Sequence, residues 1–503
     1  MRSGRFRVAI VLLLVVSACF AIVPVAGATD SDSIILPWVP NGDNTGGLGP
    51  WYGRIEIQNP TATLCSIKIS VPEASGGWNA NTQFIISPHG LTDLAPSDIG
   101  LLSPGGAVRI DSSGCKAAVA VKQASTAYND PPWSYGTRAV TGYTGIPGED
   151  TVNVPDWILP IVQTNNGWDS YIRVTNFEEF NTKNVTIQIF PYHNLSADSG
   201  AIYSETVTLT AGSTHTLDLE SALGQTGFVG FARITSVGNI AAIVQREKPG
   251  SEVAMINAAS TLPTQQASIQ STTTYTLQAP IIFNAYNGWN TGINLANPTG
   301  SVANVTVSYP GAGRPDDNVV LQPFSSDYVY TPANASGQTG FTGNAVIYSD
   351  QPIGAIVDEV KYSTNDGISY SAVPGLGSEV ALPLIFKQAQ SGTRNDNSGI
   401  NVSNASDNQT TVEIDVYTQD GGLAGGPFDL TIPAHSSNFI YLPSTAVAPD
   451  TLGTAVVTSL DGAPIVAVSN DVSYDVAGGG SAVFNAPSSL GLYQIGAAGT
   501  PSD

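Results

Sequence analysis

Aromatic side chains in glycine- and proline-rich segments are the residues of this sequence best suited to binding chemistry. Trp78 lies in SGGWNANT, and Trp133 and Tyr135 lie in DPPWSYGTR. An aromatic ring on a loop can stack on a sugar or anchor a protein partner. The alternative is that these loops pack on their own domain. We treat Trp78, Trp133 and Tyr135 as candidate ligand or partner contacts.

Cysteine chemistry is confined to the N-terminal part of the chain. The sequence has three cysteines, of which Cys19 falls in an N-terminal apolar segment. The other two, Cys65 and Cys115, are expected to form a disulfide, because an isolated pair in an exported protein is usually oxidised. Two thiols without a nearby histidine supply too few ligands for a metal. We therefore predict one disulfide and no metal site.

Acidic clusters are the remaining candidates for ion binding. TDSDS, RPDDN and RNDNSG combine carboxylates with short polar side chains. None has the ligand spacing of an EF-hand loop, and such clusters are usually solvated. We expect no cofactor, with one structural calcium ion as the open alternative.

Recognisable catalytic motifs are missing from the sequence. It contains no nucleophile elbow, no His-Glu-x-x-His, no Cys-x-x-Cys and no glycine-rich phosphate loop. A carboxylate pair for glycoside hydrolysis has no local signature, but small repeated domains leave little room for a catalytic cleft. The histidines occur in unrelated contexts, at His89, His193, His215 and His435. We expect a protein that is not an enzyme.

The first 28 residues have the pattern of an export signal. Three arginines precede an apolar run, and the small-residue segment AGA ends at Ala28. We predict cleavage after Ala28. The alternative is a lipid anchor on Cys19, because VSAC resembles a lipoprotein box. Both interpretations place the protein outside the cytoplasm, as a secreted or cell-surface protein.

Charge excludes two classes of partner. The chain carries 18 Lys+Arg against 40 Asp+Glu, a net charge of −22. Nucleic acids and anionic membranes both require a basic face, so neither is an expected partner. No second apolar run is long enough to predict a transmembrane span. Only 12% of residues are charged, with 52 Gly and 33 Pro, which is typical of short strands joined by turns.

The elements that must position these side chains occur in four copies. A short apolar strand with an internal proline appears as ILPWV, ILPIV, APIIF and LPLIF. A second strand follows each and ends at an equivalent asparagine, which we interpret as a turn former. These asparagines are Asn59, Asn176, Asn297 and Asn404.

A tryptophan opens the second strand in three copies, at Trp51, Trp168 and Trp289. Residues two apart share a face of a strand, so Trp289 lies on the side of Ile293 and Leu295. We interpret it as structural; the alternative is a stacking surface for sugars. In the fourth copy Asp396 takes its place.

Each copy contains about seven predicted strands, with hairpin-turn sequences between them. The fold class is therefore all-β, with four tandem immunoglobulin-like, Greek-key β-sandwich domains. The predicted boundaries are 1–28 signal, 31–145, 150–262, a linker at 263–277, 278–376, 379–490, and a tail at 491–503.

The repeated pattern GWxTxIxVxN, together with the apolar strand before it, resembles secreted bacterial cell-surface proteins made of tandem β-sandwich repeats. The resemblance covers about residues 34–490. It implies a stalk, an adhesin or a surface-assembly subunit, and it supplies no catalytic residues. The Gly-Trp pair is intact in the second and third copies, becomes Pro50–Trp51 in the first, and is lost in the fourth.

These observations favour a non-enzymatic extracellular structural protein, a rod of four sandwiches that self-associates into a fibre, filament or surface layer. The segment DSIILPWV is a candidate for pairing with a neighbour's sheet. The alternative is an adhesin or carbohydrate-binding protein, with the first repeat as the binding tip and glycans as partners.

Overall fold

The computed structural model describes residues 33–125, 139–148, 156–193, 200–251, 253–261, 274–333, 340–364, 366–374, 377–391, 394–473 and 484–487. Antiparallel sheets account for most of them, which confirms the all-β prediction. The predicted signal, including Cys19, and the predicted tail lie outside the described residues. Within the ranges described, no helix is long and apolar enough to cross a membrane.

Unit 1 contains nine strands: β1 (Ser33–Asp43), β2 (Trp51–Gln58), β3 (Cys65–Pro72), β4 (Trp78–Ile86), β5 (Leu91–Leu94), β6 (Gly105–Ser113), β7 (Ala118–Ala124), β8 (Val140–Thr144) and β9 (Ile146–Pro147). Unit 2 contains β10 (Asp156–Gln163), β11 (Asp169–Asn176), β12 (Lys183–Pro191), β13 (Tyr203–Leu209), β14 (Thr214–Asp218), helix α1 (Leu219–Leu223), β15 (Val229–Thr235), β16 (Ile240–Lys248), β17 (Val253–Ala258) and β18 (Ser260–Thr261).

Unit 3 contains β19 (Tyr275–Tyr286), β20 (Trp289–Asn297), β21 (Ala303–Ser308), β22 (Asp317–Leu321), β23 (Ser325–Tyr330), β24 (Phe341–Ser349), β25 (Gly354–Lys361) and β26 (Asp366–Ser371). Unit 4 contains β27 (Glu379–Lys387), β28 (Ala389–Ser391), β29 (Arg394–Asn404), β30 (Thr410–Thr418), β31 (Leu423–Ile432), β32 (Ser437–Tyr441), β33 (Thr451–Ser459), β34 (Ile465–Ser473) and β35 (Phe484–Pro487). Short 3₁₀ helices lie at Pro96–Ile99, Pro249–Ser251 and Leu442–Ser444.

Each unit is a sandwich of two antiparallel sheets. In unit 2 the strand orders are β13-β12-β15-β10-β18 and β14-β11-β16-β17. In units 1 and 3 the first strand pairs with both sheets and joins them at one side. The apolar residues of alternating positions meet between the sheets, as Ile172 and Val174 do with Ile187 and Ile234.

The shared proline forms a bulge in the first strand of every unit. The register of this strand against its partner shifts between Leu36 and Val39 in unit 1, and at the equivalent positions of β10, β19 and β27. Proline has no N–H to donate to the ladder, so a bulge is where a paired strand accommodates it. The residue after the proline has no partner in the neighbouring strand at this register shift; it is Trp38, Ile161, Ile281 or Leu384.

The shared asparagine ends the second strand with the same turn in all four units. The Asn297 Oδ1 accepts the backbone N–H of Thr299 at 3.0 Å, and its Nδ2 donates to carbonyls of Ser301, Leu321 and Gln322. Asn59, Asn176 and Asn404 make equivalent bonds. This is the side-chain turn that the sequence predicts at these positions.

The predicted disulfide joins Cys65 and Cys115, whose Cα atoms lie 5.2 Å apart. Cys65 begins β3 and Cys115 follows β6, and these two strands pair side by side. Because the bond closes a loop with a sequence separation of 50 residues, chain entropy gives it a stabilising effect of about 4 kcal/mol on unit 1.

The four units close into a ring. The last long strands contact one another in a circuit, β8 with β17, β17 with β26, β26 with β35, and β35 with β8. The first strand of each unit contacts the second sheet of the next: β1 with β11 and β16, β10 with β20 and β25, β19 with β29 and β34, and β27 with β2 and β7. These equivalent contacts give the chain approximate fourfold symmetry, with head-to-tail interfaces that close.

Three sequence-based expectations are corrected by this arrangement. The predicted rod is wrong, because unit 4 packs against unit 1. The N-terminal segment DSIILPWV is not available to a neighbouring molecule, because β1 is an internal strand paired with β2, β6 and β9. The C-terminal bound of the predicted linker at 263–277 is wrong, because β19 begins at Tyr275; residues 262–273 lie outside the described part.

Candidate functional site

Candidate binding sites arise where one unit meets the next. In β11 the residues Ile172 and Val174 face the core of unit 2, whereas Arg173 and Thr175 face unit 1. Arg173 Nη2 donates to Asp43 at 2.7 Å and Thr175 Oγ1 donates to the Pro37 carbonyl at 2.8 Å. The outer face of the second strand therefore becomes an interface, although its polar residues suggest a solvated surface.

Units 2 and 3 leave a cavity of about 380 Å³ between them, named cleft 2/3. Trp168 lies on one wall and Tyr328, Tyr330 and Tyr362 on the other. Its charged lining residues are Arg246, Lys248, Lys361, Asp358 and Asp366.

An ion pair between units 2 and 3 forms part of the lining of cleft 2/3. Arg246 donates to both carboxylate oxygens of Asp358, at 2.8 and 2.6 Å, and Asn294 Nδ2 donates to the same carboxylate at 2.9 Å. Two-point pairing between guanidinium and carboxylate fixes the relative orientation of the two units.

Units 3 and 4 enclose a larger cavity of about 520 Å³, named cleft 3/4. It is the structural counterpart of cleft 2/3, because Ile281, Trp289 and Gly399 take the places of Ile161, Trp168 and Gly292. No side chain that lines cleft 3/4 carries a charge. The lining residues are Ile281, Phe283, Tyr286, Asn287, Trp289, Thr342, Ile368, Gly399, Asn401, Phe439, Tyr441, Ser444, Asn470 and Val472.

One strand position distinguishes these clefts from the other two interfaces. Five residues before the shared asparagine, units 3 and 4 have Gly292 and Gly399, whereas units 1 and 2 have Arg54 and Tyr171. A Cβ placed on Gly292 would meet no atom within 4 Å. Neither glycine has a positive φ, so the backbone does not require it. Glycine at this position leaves space in front of the sheet.

The corresponding space between units 1 and 2 is filled. Tyr171 is 7% exposed, and the loop between β1 and β2 brings Leu48 against unit 2, where it is 1% exposed. Glu247 of unit 2 accepts hydrogen bonds from the Leu48 N–H at 3.0 Å and from Trp51 Nε1 at 2.8 Å. This interface is packed with side chains from both units.

The interface between units 4 and 1 holds a buried cation. Lys122 is fully buried, and its Nζ lies 3.3 Å from Asp396 and 2.9 Å from Asp471. It also lies 4.2 Å from the centroid of the Phe386 ring. Asp396 stands where the other units have tryptophan, so that loss in the fourth copy provides a counter-charge to Lys122.

Burial shifts the pKa of several interface carboxyls. It raises the pKa of Glu247 to about 7, against the opposing hydrogen bonds from Leu48, Gln245 and Trp51. Burial also raises the pKa of Glu56 and of Glu359 well above the usual range, and neighbouring Asp93 and Asp358 reinforce these shifts.

The structural tryptophans lie at the unit interfaces. Trp51 is fully buried and donates across to unit 2, and Trp289 is 3% exposed and tilts against Phe283 with ring centroids 6.0 Å apart. Trp168 is half-buried, with Lys248 Nζ 5.9 Å from its ring centroid. The strand-face argument assigns these rings to the side of the core residues, and it does not predict their contacts with the next unit.

Of the predicted ligand or partner contacts, Trp78 instead contacts the neighbouring unit of the same chain. Its Nε1 donates to the Glu178 carbonyl at 3.0 Å, and its ring stacks on Phe177 with centroids 5.4 Å apart, both in unit 2. Trp78 thus joins unit 1 to unit 2. Trp133 and Tyr135 lie outside the described residues.

Two of the acidic clusters are engaged in internal bonds. Asp317 of RPDDN accepts from Tyr309 at 2.6 Å and from Arg314 at 2.8 Å, and Asp396 of RNDNSG pairs with Lys122. The acidic residues of TDSDS lie outside the described residues. Within the described ranges, no group of three or more His, Cys, Asp or Glu side chains could hold a metal ion.

Sequence reasoning missed both clefts, because it considered each repeat as a separate body. A signal was available in the alignment of the four copies, where the outward position carries Arg, Tyr, Gly and Gly in order. That signal becomes interpretable only when the outer face of one unit is known to meet the next.

Comparison with known proteins gives a partial match. Residues 384–490, which are unit 4, match a family described as a family of unknown function, DUF5719. The search of curated proteins gives no match.

Three solved structures are similar in part. The Anabaena sensory rhodopsin transducer has 22% identity and a TM-score of 0.16, covering 18% of this chain and 93% of its own. A structure of Thermotoga maritima 1070 has 15% identity and a TM-score of 0.18, covering 23% and 93%. A tetra-tandem repeat from the extending region of a large adhesion protein has 11% identity and a TM-score of 0.11, covering 85% and 92%. With TM-scores this low, the three likenesses carry no argument about this chain.

Proposed function

We propose that this chain is a non-enzymatic binding protein that acts outside the cytoplasm, with the ring as a rigid frame and clefts 2/3 and 3/4 as its ligand sites. One observation carries the proposal. The two clefts occupy equivalent places in the ring, and each is open at a strand position where glycine replaces the Arg or Tyr of the other units. The predicted export signal and the Cys65–Cys115 disulfide support the location.

A closed ring suits this role because it fixes both walls of a cleft without a ligand. Each cleft is made from two units, and those units are also held by contacts elsewhere on their interface. Between units 2 and 3 these include the Arg246–Asp358 ion pair and the stacked rings of Phe190 and Phe324. A preformed site loses little conformational entropy when it binds.

The experiment is a fragment screen by ligand-observed NMR on the chain without residues 1–28. The wild type is compared with the double variant Gly292→Tyr and Gly399→Tyr, which places in both clefts the side chain found at position 171. We expect hits on the wild type that are lost in the double variant, with the melting temperature unchanged within about 3 °C. A wild type without hits, or hits that survive in the double variant, would contradict the proposal.

A structural role in a surface assembly is the second candidate, and the outer strand edges favour it. Among the described residues, β4, β13, β22 and β31 each pair with a neighbour on one side only. Unpaired edges can pair with another copy. The four edges, one per unit, favour lateral association into a layer. Negative-stain electron microscopy of the purified protein tests this: lattices or fibres support assembly, and single rings at all concentrations exclude it.

A further inference from the structure

We infer that cleft 3/4 binds a neutral sugar ring, an assignment that rests on the proposed binding function and gives its ligand class. The inference starts from the aromatic wall contributed by unit 3. The rings of Phe283 and Tyr286 are stacked, with centroids 5.8 Å apart and planes inclined by 8°, and Trp289 tilts against Phe283. Flat apolar surfaces of this kind match the C–H face of a pyranose.

The opposite wall supplies two side-chain amides that can form hydrogen bonds with a ligand. Asn401 and Asn470 are each 5% exposed and line the cleft from β29 and β34. The amide oxygen of Asn470 has no hydrogen-bond partner in the structure, and its Nδ2 has only a 3.5 Å contact with Glu359. The side chain of Asn401 makes no hydrogen bond within the described residues.

The buried, unpaired amide oxygen of Asn470 is costly, because folding removes its water and returns no bond. Each amide offers both a donor and an acceptor. The ligand that would satisfy the two groups must therefore donate and accept at neighbouring positions. Sugar hydroxyls do both, whereas a hydrocarbon or an aromatic side chain does not.

The absence of charge on the lining narrows the ligand to neutral molecules. No lining residue of cleft 3/4 is ionisable near neutral pH, whereas cleft 2/3 is lined by three cationic and two anionic side chains. A carboxylated or phosphorylated ligand would lose hydration in cleft 3/4 without gaining an ion pair. The volume of about 520 Å³ lies within the range of small-ligand sites.

The test uses isothermal titration and saturation-transfer NMR on the chain without residues 1–28. The probes are methyl glycosides of neutral hexoses and N-acetylhexosamines, with a hexuronic acid glycoside and N-acetyltyrosine amide as competitors from other classes. We expect at least one neutral glycoside to bind, and the hexuronic acid to bind at least tenfold more weakly.

Three variants locate the site. Trp289→Ala and Asn401→Ala should each weaken binding at least tenfold, and Gly399→Tyr should abolish it. Trp168→Ala removes the equivalent tryptophan from cleft 2/3 and tests that cleft. The control is Phe180→Ala, which removes an aromatic side chain that is 83% exposed and lines neither cleft; it should leave the affinity unchanged. Melting curves identify any variant that fails to fold. Gly399→Tyr then decides, because a Cβ at position 399 would meet no atom closer than 3.9 Å.

The outcomes separate this inference from the function on which it rests. Fragment hits that Gly399→Tyr removes, together with no neutral glycoside binding, leave the cleft as a binding site and overturn the sugar assignment. Stronger binding of N-acetyltyrosine amide would assign the cleft to a peptide. Loss of neutral-sugar binding in Trp168→Ala but not in Trp289→Ala would place the site in cleft 2/3 and also overturn the inference.

Discussion

Cleft 3/4 and the interface between units 1 and 2 are built from equivalent strands, yet one is a cavity and the other is filled. The position five residues before the shared asparagine is Gly399 in the first case and Tyr171 in the second. The filled interface also receives Leu48 from a longer loop. Outward substitutions of this kind leave the sandwich core intact, so four copies of one fold can differ in what lies between them.

The unit interfaces also differ in the charge of the side chains that they contain. The residue that matters is the partner, on the adjacent strand, of the position five residues before the shared asparagine. This partner is Asp358 opposite Gly292, Asn470 opposite Gly399 and Lys122 opposite Arg54. Lys122 belongs to a buried ion pair and Asp358 to a partly buried one, whereas Asn470 is a neutral amide in the lining of cleft 3/4. The fourth interface, between units 1 and 2, pairs Tyr171 with the amide Gln245. Cleft 3/4 is therefore the interface that combines a neutral amide at this position with a glycine opposite it.

The largest expected effect comes from removing the cation of a filled interface. Lys122→Ala leaves the carboxylates of Asp396 and Asp471 buried without their counter-charge. We expect a loss of about 3–5 kcal/mol in the free energy of unfolding. Denaturant unfolding measures it, with the exposed Lys68→Ala as a control that should stay within about 0.5 kcal/mol. Equal stability of the two variants would mean that Lys122 does not hold units 4 and 1 together.

A somewhat smaller loss is expected when the packed interface is opened. Tyr171→Ala removes a side chain that is 7% exposed, so we expect a loss of about 3 kcal/mol. The control is Tyr328→Ala, which truncates a residue that is 51% exposed and should cost less than about 1 kcal/mol. Differential scanning calorimetry compares them. Similar melting temperatures would show that Tyr171 does not fill the interface.

The interface between units 1 and 2 should also respond to pH. Because burial raises the pKa of Glu247 to about 7, the folded state binds this proton more tightly than the unfolded state. The stabilising effect of this tighter proton binding is therefore fully present below about pH 4.5 and is lost as the pH rises through about 7. The free energy of unfolding should fall by up to about 3 kcal/mol over this range. Melting temperatures from pH 5 to 8 should fall less in Glu247→Gln than in the wild type. Parallel curves would contradict the assignment.

The smallest effect is expected at the open cleft 2/3. Gly292→Ala adds a Cβ where no atom lies within 4 Å and reduces the freedom of the unfolded chain, so we expect a gain of about 0.4–1 kcal/mol. Gly230→Ala is the contrasting control, since its Cβ would lie 2.0 Å from the Phe190 carbonyl oxygen. Urea titration distinguishes the two. A loss at position 292 larger than about 1 kcal/mol would mean that this part of the cleft is not open.

Much of each unit could be predicted from the sequence because its signals are local. The proline strand, the asparagine turn and the Cys65–Cys115 pair each depend on neighbouring residues or on compartment. The clefts could not be predicted in this way, because they depend on contacts between units. Lys122 and Arg173 show the difficulty: they are fully buried against another unit, although their positions on the outward strand face predict contact with solvent.

The sequence by itself determined the all-β fold, the four repeats and the residues that share each strand face, because side chains alternate with a period of two. Only the tertiary structure decided what covers the outward faces. Ring closure brings residues from opposite ends of the chain together, as Lys122 and Asp471 show, and no local pattern encodes such a contact. Whether an interface became a cleft or a packed surface then depended on the side chains that both units place there, as Gly399 and the pair Tyr171 and Leu48 show.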